Sequence, residues 1–396
     1  MIEYAIPVTD GTANVPLPPG LRHGHQGKAG FDPDRVEVAL DLVAAEIAEG
    51  RLSGAVVAVT RAGAVGAYRA MGWAQYHPAS NRRAMALDTL FDLASLTKVM
   101  ATLPCVLRLI DQEAIRLEDR VKTYFPAFTG NRKDDVLIQH LLTHTAGLAP
   151  WLALEQVPGS RAELIDHICR APLNETPGTK VVYSDLSFIL LGELVTKLTG
   201  KPLDQYAREA VFAPLGLPDA GFNPVPDLKH RCAATELREY LGRHQVGEVH
   251  DERATRFGGV AGHAGLFATA AEVAAYGQMW LRDGAPDAAE AGPHLPPRVL
   301  TQKTVAAAIR DLTPGLTDGR GLGWMLLRPG AEAMSCGSLF TPGAFGHTGF
   351  TGTSLWVDPA RQLVVTLLTN NVHFGRSDVA IRLRSRFHNA VAAALC

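Results

Sequence analysis

The segment FDLASLTKV, residues 91–99, decides how the rest of the chain is interpreted. It leads into an apolar periodic run, SLTKVMATLPCVLRLI, which predicts a helix that begins at Ser95. Because residues three apart lie on one face of a helix, the Lys98 amine can reach the Ser95 hydroxyl. The spacing predicts a nucleophile with a proton partner, at a helix end whose partial positive charge favours an alkoxide. The alternative is a helix N-cap followed by a solvated lysine.

Two more short motifs follow along the chain. Tyr183-Ser184-Asp185 stands directly before the helical pattern LSFILLGELVTKLTG, and His347-Thr348-Gly349 stands at the head of a predicted C-terminal strand. Each motif alone also fits a packed aromatic residue or an ordinary strand entry. Three such motifs in this order are far less expected by coincidence, so we treat them together as one candidate active site.

With these motifs, the chain resembles the serine-reactive group of penicillin-binding proteins and class C β-lactamases, which includes D-alanyl-D-alanine peptidases, β-lactamases and carboxylesterases. The resemblance covers nearly the whole chain from about Asp34. It extends to HLLTHTAGL (residues 140–148), GGVAGHAGLFATA (258–270) and GHTGFTGTSLWVDP (346–359). It implies an α+β fold of the β-lactamase/transpeptidase type, in which an antiparallel sheet flanked by helices carries an inserted all-helical lobe and a cleft lies between them.

The order of predicted elements agrees with that fold. Residues 1–33 are rich in Pro, Gly and His and predict an extended arm. Residues 34–92 and 316–396 predict one discontinuous sheet domain, because the strands at either end are too few to be stable alone. Residues 93–315 predict a largely helical lobe, with the helix that follows Ser95 at the interface.

Matched position by position, the resemblance implies two-step acyl transfer. Ser95 would be the acylated nucleophile, Lys98 its proton partner and Tyr183 a second base at the edge of the cleft. The backbone N–H groups of Ser95 and Phe350 would hold the oxyanion. The residues expected at the substrate and oxyanion positions are Asp185, His347, Thr348, Gly349 and Phe350. Which of Lys98 and Tyr183 acts as the base stays open.

Two positions depart from the common pattern of the group. Asp185 stands where many relatives have Asn, and His347 stands where the β-lactamases have Lys. At about 5 Å and an effective dielectric near 20, each unit charge is worth roughly 3 kcal/mol, so the change would penalise a substrate carboxylate. Asp185 would also keep Lys98 protonated, which favours Tyr183 as the base. Arg376 is a candidate to restore carboxylate recognition.

These charges lead to a prediction about the substrate. Penicillins and D-Ala-D-Ala termini carry a carboxylate, whereas a neutral ester does not. We therefore predict a serine hydrolase that acts on esters or related small acyl compounds. A D-alanyl-D-alanine carboxypeptidase or a β-lactamase is the alternative, and a catalytically idle binding or regulatory member of the group is a further one.

Composition limits the partners and cofactors. The 396 residues are 47% hydrophobic and 20% charged, and 38 Lys and Arg nearly balance 40 Asp and Glu. This balance favours a small-molecule substrate over a nucleic acid or a membrane, and it leaves the oligomeric state open. The five cysteines are scattered, without a disulfide framework or thiolate site. The N-terminus has no secretory pattern and no stretch is long enough to span a bilayer, so we expect a cytoplasmic location.

A histidine pair and a tryptophan also need an interpretation. His140 and His144 stand four apart, but a third metal ligand at a recognisable spacing is missing, and the HLLTHTAGL segment predicts a helix that ends at Gly147. We therefore predict neither a metal nor another cofactor. Trp151 follows this segment and would either line the substrate cleft or pack the loop in place.

Overall fold

The computed structural model describes residues 6–12, 15–24, 27, 29–285, 298–329 and 335–396. The helices are α1 (Pro33–Ala48), α2 (Leu103–Asp111), α3 (Val121–Tyr124), α4 (Ile138–Leu142), α5 (Arg161–Arg170), α6 (Asp185–Thr199), α7 (Leu203–Ala207), α8 (Pro226–Lys229), α9 (Glu252–Arg256), α10 (Ala270–Leu281), α11 (Gln302–Ala308) and α12 (Val379–Ala393). The strands are β1 (Val8–Asp10), β2 (Arg22–His23), β3 (Gly54–Arg61), β4 (Ala64–Gln75), β5 (Arg83–Ala84), β6 (Phe91–Asp92), β7 (Gly221–Phe222), β8 (Ala234–Arg238), β9 (Arg243–Val246), β10 (Leu266–Ala268), β11 (Met325–Leu326), β12 (Phe345–Thr348), β13 (Ser354–Asp358) and β14 (Leu363–Thr369).

The main sheet joins strands from both ends of the chain. Its order is β1-β4-β3-β14-β13-β12-β11, with β2 and β5 also paired to β4. The central pair, β3 and β14, is antiparallel and runs from Arg61 opposite Leu363 to Ala55 opposite Thr369. Both strands are rich in Val, Leu and Thr, which suits a sheet covered on both faces. The predicted sheet of N- and C-terminal strands is thus confirmed, and only β2 departs from antiparallel pairing.

Helices cover both faces of this sheet. Alternate residues of a strand point to opposite faces, so Val57 and Val59 face α1 and α12, while Val56 and Ala58 lie in the larger core on the other side. On that side α10 packs across β3, β13 and β14. A Cβ at Gly277 of α10 would lie 2.5 Å from a methyl of Val364, so the glycine permits this close approach. The predicted α+β architecture is confirmed.

The arm and the middle of the chain contain strands that the sequence did not predict. Arm residues form β1 and β2 against β4, so part of the arm belongs to the sheet. Residues 1–5, 13–14, 25–26 and 28 of the predicted arm lie outside the described residues. Within 93–315, β7 and β10 join β6 in a small sheet, and β8 and β9 form a hairpin. These strands are too short for their alternation to stand out from the helical pattern around them. The division into domains stays a prediction.

Two predicted element boundaries are wrong. The helix in HLLTHTAGL ends at Leu142 rather than at Gly147, because His144 has a left-handed backbone with φ 58°. The motif His347-Thr348-Gly349 ends β12 rather than heading a strand, and a turn then leads to β13. No helix within the described ranges has both the length and the apolar character needed to cross a membrane.

Candidate active site

The turn before α2 holds Ser95 in a strained backbone. Ala94, the residue before it, has a left-handed φ of 46°, which is costly for a residue with a side chain. The buried carboxylate of Asp92 accepts hydrogen bonds from the Ala94 N–H at 2.8 Å and from the His250 N–H at 2.6 Å. Burial raises the pKa of Asp92, although both hydrogen bonds act to lower it. Asp92 therefore holds the turn that presents the half-buried Ser95 to the cleft.

Lys98 lies one turn further on, in a π-helical segment that spans Lys98–Thr102. Its side chain is fully buried and Nζ has three acceptors: Ser95 Oγ at 3.0 Å, the His263 carbonyl at 3.1 Å and Asp185 Oδ1 at 2.8 Å. Burial acts to lower the pKa of Lys98, but the attraction of Asp185 and Tyr183 outweighs it and raises the pKa. Each ammonium proton thus has a partner, and the lysine is charged.

Tyr183 stands immediately before α6 and faces the same cleft as Ser95. Its ring centre is 4.9 Å from Lys98 Nζ and 5.8 Å from the ring of His347. Apart from the Lys98 ammonium beside it, its buried hydroxyl has no hydrogen-bond partner in the described part of the chain. The His144 ring packs against Tyr183 at a tilt of 40° with the ring centres 4.6 Å apart, and its Nδ1 accepts the Ser184 N–H at 3.0 Å. His144 thereby fixes the backbone beside Tyr183, a role that its sequence pattern did not predict.

The turn after β12 docks onto the turn that carries Ser95. Thr351 Oγ1 donates to the Asp92 carbonyl at 2.7 Å, and Thr353 Oγ1 donates to the Leu93 carbonyl at 3.0 Å. A Cβ at Gly349 would lie 2.1 Å from Thr353 Oγ1 and 2.4 Å from the Leu93 carbonyl oxygen, so only glycine fits there. This close approach brings the His347-Thr348-Gly349 motif against the Ser95 turn.

His347 is a neutral residue of the cleft wall. Its Nδ1 lies 2.8 Å from the Thr348 carbonyl, and because a carbonyl only accepts, Nδ1 carries the proton. The buried Nε2 is therefore a lone-pair acceptor, without a partner in the residues described. Burial, together with the charges of Lys98 and Arg320, lowers the pKa of His347 to about 3. It contributes no positive charge at neutral pH.

Two backbone donors at the cleft are unused. The N–H groups of Ser95 and Phe350 donate no hydrogen bond to any other group in the described chain, and both residues line the cleft. The Phe350 side chain is 55% exposed, and its ring lies 5.8 Å from the His250 ring and 5.5 Å from the Arg376 guanidinium. Two free N–H groups beside a hydroxyl can stabilise the oxyanion of a tetrahedral intermediate.

Charged residues pack behind Lys98. Asp185 Oδ2 lies 3.5 Å from Arg253, and Asp251 pairs with both Arg253 at 3.1 Å and His263 Nε2 at 2.9 Å. Burial acts to raise the pKa of Asp251, but His263 and Arg253 outweigh it and hold the pKa far below its usual range. Asp185, Asp251 and His263 bring possible metal ligands within 4.8 Å of one another. The adjacent charges of Lys98 and Arg253 already neutralise the carboxylates and would repel a cation.

The histidines considered as metal ligands have other contacts. His140 Nδ1 accepts the Leu137 N–H at 3.2 Å, at the start of α4, and His144 Nδ1 is bonded to the Ser184 N–H. These side chains are therefore engaged in holding local structure.

The cleft in front of Ser95 has a volume of about 480 Å³ and contains arginines that the sequence analysis passed over. Arg320 is buried, and its Nε and Nη1 have no hydrogen-bond partner among the described residues. Its ion pair is a long one, 4.0 Å to the exposed Asp318. Arg384 donates to the Gly349 carbonyl at 2.6 Å, and burial lowers its pKa to about 10. A charged residue inside the apolar run GRGLGWML was the available signal for Arg320.

Two other predicted residues lie at the edge of this arrangement. Arg376 lines the cleft, but it is paired with Glu252 at 2.7 Å and with Glu236 at 3.3 Å. Trp151 is 58% exposed, under the Arg253 guanidinium at 5.7 Å, and is not among the residues that line the cleft.

Fold and sequence together define the class of protein. The model of the beta-lactamase family matches residues 40–389, and the chain belongs to this family. It is a serine hydrolase, as the resemblance implied.

Its relatives include a putative carboxypeptidase and an amidase. A putative D-alanyl-D-alanine carboxypeptidase of Escherichia coli K12 is 32% identical over 314 residues, which cover 72% of this chain and 70% of the relative. An N-acetylmuramyl-L-alanine amidase of Bacillus subtilis is 34% identical over 381 residues, 87% of this chain and 83% of the relative.

Solved structures have the same fold. The structure of EstCE1, described as a hydrolase with promiscuous acyltransferase activity, superimposes with a TM-score of 0.71 at 24% identity, covering 91% of this chain and 99% of that one. A penicillin-binding protein homolog from Caulobacter crescentus gives a TM-score of 0.68 at 22% identity, with the same coverage. At these identities the likeness concerns the fold alone.

Proposed function

We propose that Ser95 is the nucleophile of a two-step acyl transfer to water. The observation that carries this proposal is the 3.0 Å contact between Ser95 Oγ and Lys98 Nζ, at the base of an open cleft beside two unused N–H groups. Ser95 attacks a carbonyl, and the Ser95 and Phe350 N–H groups bind the oxyanion. Collapse of the intermediate expels the leaving group and forms an acyl-enzyme, which water then hydrolyses.

Tyr183 takes the proton from Ser95 in this proposal. Lys98 has a raised pKa and three acceptors, so it holds no lone pair with which to accept a proton. Tyr183 faces the same cleft as Ser95, and its ring centre lies 4.9 Å from Lys98 Nζ, so its phenol oxygen is placed to exchange a proton with Ser95 beside the Lys98 charge. Tyr183 then returns the proton to the leaving group. Lys98 and Asp185 form a fixed ion pair that supports Tyr183 in this role.

The charges of the folded cleft favour a substrate with a carboxylate. Asp185 is paired with Arg253 as well as with Lys98, so its negative charge repels a substrate anion less than the sequence alone predicted. The buried Arg320 has two unused N–H groups at the cleft, and a buried guanidinium without a good partner is stabilised by an anion. Arg320 would therefore bind a substrate carboxylate.

The substrate class we propose is an N-acyl alanine of the cell-wall type. D-alanyl-D-alanine and N-acetylmuramyl-L-alanine, in the names of two relatives, are both amides in which alanine is the amine side of the bond. In such an amide, the carboxylate of the alanine lies close to the carbonyl that Ser95 attacks. Arg320 is the residue proposed to meet this carboxylate.

Esters of small acyl groups are the second candidate. Apolar side chains also line the cleft and suit an uncharged acyl chain: Met325, Phe350, Val372, Ala380 and Ile381. Acyl-enzyme chemistry hydrolyses an activated ester at least as readily as an amide, because the alcohol is a better leaving group than the amine.

One set of assays separates these functions. The chain and its Ser95→Ala variant are incubated with a D-Ala-D-Ala peptide, N-acetylmuramyl-L-alanine, short p-nitrophenyl esters and nitrocefin. Turnover of either alanine amide supports the proposed class and identifies the stereochemistry. Turnover of esters alone supports the second candidate, and nitrocefin turnover alone supports a β-lactamase. A chain inactive on all four, or an active Ser95→Ala variant, contradicts the proposed role of Ser95.

Arg320→Gln tests the carboxylate site separately. Loss of a charge-assisted hydrogen bond costs about 1.5–3 kcal/mol, so we expect KM for the alanine amide to rise roughly 10- to 100-fold. The kinetics with a neutral p-nitrophenyl ester should not change. Arg376→Gln is the matched control, since that arginine is already paired with two carboxylates. Equal losses on amide and ester would contradict a carboxylate-binding role for Arg320.

A further inference from the structure

A second cavity lies outside the cleft. It is bordered by the edge formed by β4 and β5 and by the β8–β9 hairpin, and its volume is about 820 Å³. It shares no lining residue with the cleft. The short 3-10 helix Asn371–Phe374 lies between the two: Asn371 lines the cleft, while the His373 ring stacks at 4.1 Å on His244, which lines the second cavity.

The charge around this cavity is positive. Arg83, Lys229 and Arg243 line it, and no carboxylate is among its lining residues. The nearest acid paired to these cations is Glu248, 2.8 Å from Arg243 and 4.0 Å from Lys229. Two of the three cations thus share one carboxylate, which leaves a local excess of positive charge.

Arg83 has no carboxylate partner within the described ranges of the chain. Its Nη2 donates to the Cys232 carbonyl at 2.6 Å, and it forms no ion pair with a described residue. The side chain is partly buried, and this burial lowers its pKa. A partly desolvated guanidinium with a single neutral acceptor is stabilised by an anion placed against its remaining N–H groups.

The other walls combine polar rings with apolar surface. His77, His230 and His244 line the cavity. His244 Nδ1 lies 2.8 Å from the Thr235 carbonyl and donates its proton to it, so Nε2 of the neutral ring is a lone-pair acceptor. Three apolar side chains complete the wall: Pro78, Leu237 and Val246. Such a cavity suits a ligand with an anionic group and a carbon skeleton.

We propose that this cavity binds a small organic anion, a phosphate ester or a carboxylate of the size of a monosaccharide derivative. The anionic group contacts Arg83 and Lys229, and the skeleton lies against the apolar wall. The site is separate from the hydrolytic centre, so the proposal stands whichever substrate Ser95 processes.

Isothermal titration calorimetry of the full chain tests this proposal with four probes: inorganic phosphate, glucose 6-phosphate, gluconate and glucose. We expect glucose 6-phosphate or gluconate to bind more tightly than inorganic phosphate, and glucose to show no binding. Binding of only one of the two organic anions identifies the anionic group. Absence of binding by both, or equal binding of glucose, overturns the proposal.

Variants assign the binding to this cavity. Arg83→Gln and Lys229→Gln should each weaken binding of the organic anion by about tenfold. Lys229→Gln keeps the test valid if Arg83→Gln is unstable, because Lys229 is partly exposed and its ion pair is long. The matched control is Arg35→Gln, an exposed arginine of α1. Binding that survives both cavity variants, or that is lost in Arg320→Gln instead, assigns the anion elsewhere and overturns the proposal.

Discussion

Replacing Asp185 by Asn tests which residue accepts the proton of Ser95. The Asp185 carboxylate lies 2.8 Å from Lys98 Nζ. At this distance and an effective dielectric of about 20, the attraction is roughly 6 kcal/mol. Lys98 is fully buried, and burial alone lowers its pKa. We therefore expect the variant to lower the pKa of Lys98, because the burial then acts without the Asp185 charge that opposes it.

The assay is kcat/KM as a function of pH, measured for the wild type and for Asp185→Asn with the same substrate. If Tyr183 is the base beside a charged Lys98, the variant loses activity as Lys98 deprotonates, and its alkaline limb lies at least about one pH unit lower. Asp166→Asn, which removes an exposed i,i+4 ion pair, should leave the profile unchanged. Higher activity of Asp185→Asn at neutral pH would refute the reasoning, because a neutral Lys98 would then be the base. An unchanged profile would remove Asp185 from the mechanism.

Three further predictions concern the base, the turn and acid stability. Tyr183→Phe should lower kcat/KM by about 10²- to 10⁴-fold with an unchanged Tm; full activity would exclude Tyr183 as the base. Gly349→Ala should abolish most activity, since its Cβ would overlap Thr353 Oγ1 and push the two turns apart, and a wild-type rate would contradict this docking. Burial lowers the pKa of His388 from 6.5 to about 4, so its contribution to stability is complete above pH 6.5 and is lost as the pH falls towards 4. Between pH 7 and pH 5, denaturant titration should show the wild type losing about 2 kcal/mol more unfolding free energy than His388→Gln, and equal losses would refute it.

Local patterns predicted the framework of the site. The Ser-x-x-Lys spacing placed Lys98 within hydrogen-bond distance of Ser95, because that contact depends on one helical turn. Tyr183 was predicted beside a helix start for the same kind of reason. The strands at both chain ends were predicted to join because neither group has enough strands to be stable alone. These features depend on short-range geometry or on simple counting.

The charge balance of the cleft depends on contacts between distant segments. The sequence predicted that Asp185 acts on Lys98, but it did not predict that the fold also brings Arg253 to the same carboxylate. Arg320 was not singled out in the sequence, yet it is buried at the cleft. Sequence periodicity does not reveal contacts between distant segments. The predicted penalty on a substrate carboxylate therefore left these ion pairs out. The short strands β6, β7 and β10 were missed because two or three residues carry no pattern.

The pairing of β3 with β14 has a consequence during protein synthesis. Ala55 forms its ladder with Thr369, so β3 has left the ribosome long before its neighbour exists. Until then its inner edge exposes unpaired N–H and C=O groups that can pair with other chains. A nascent chain therefore has an open edge to protect for most of its translation time, and a fragment that stops before β14 keeps that aggregation-prone edge permanently.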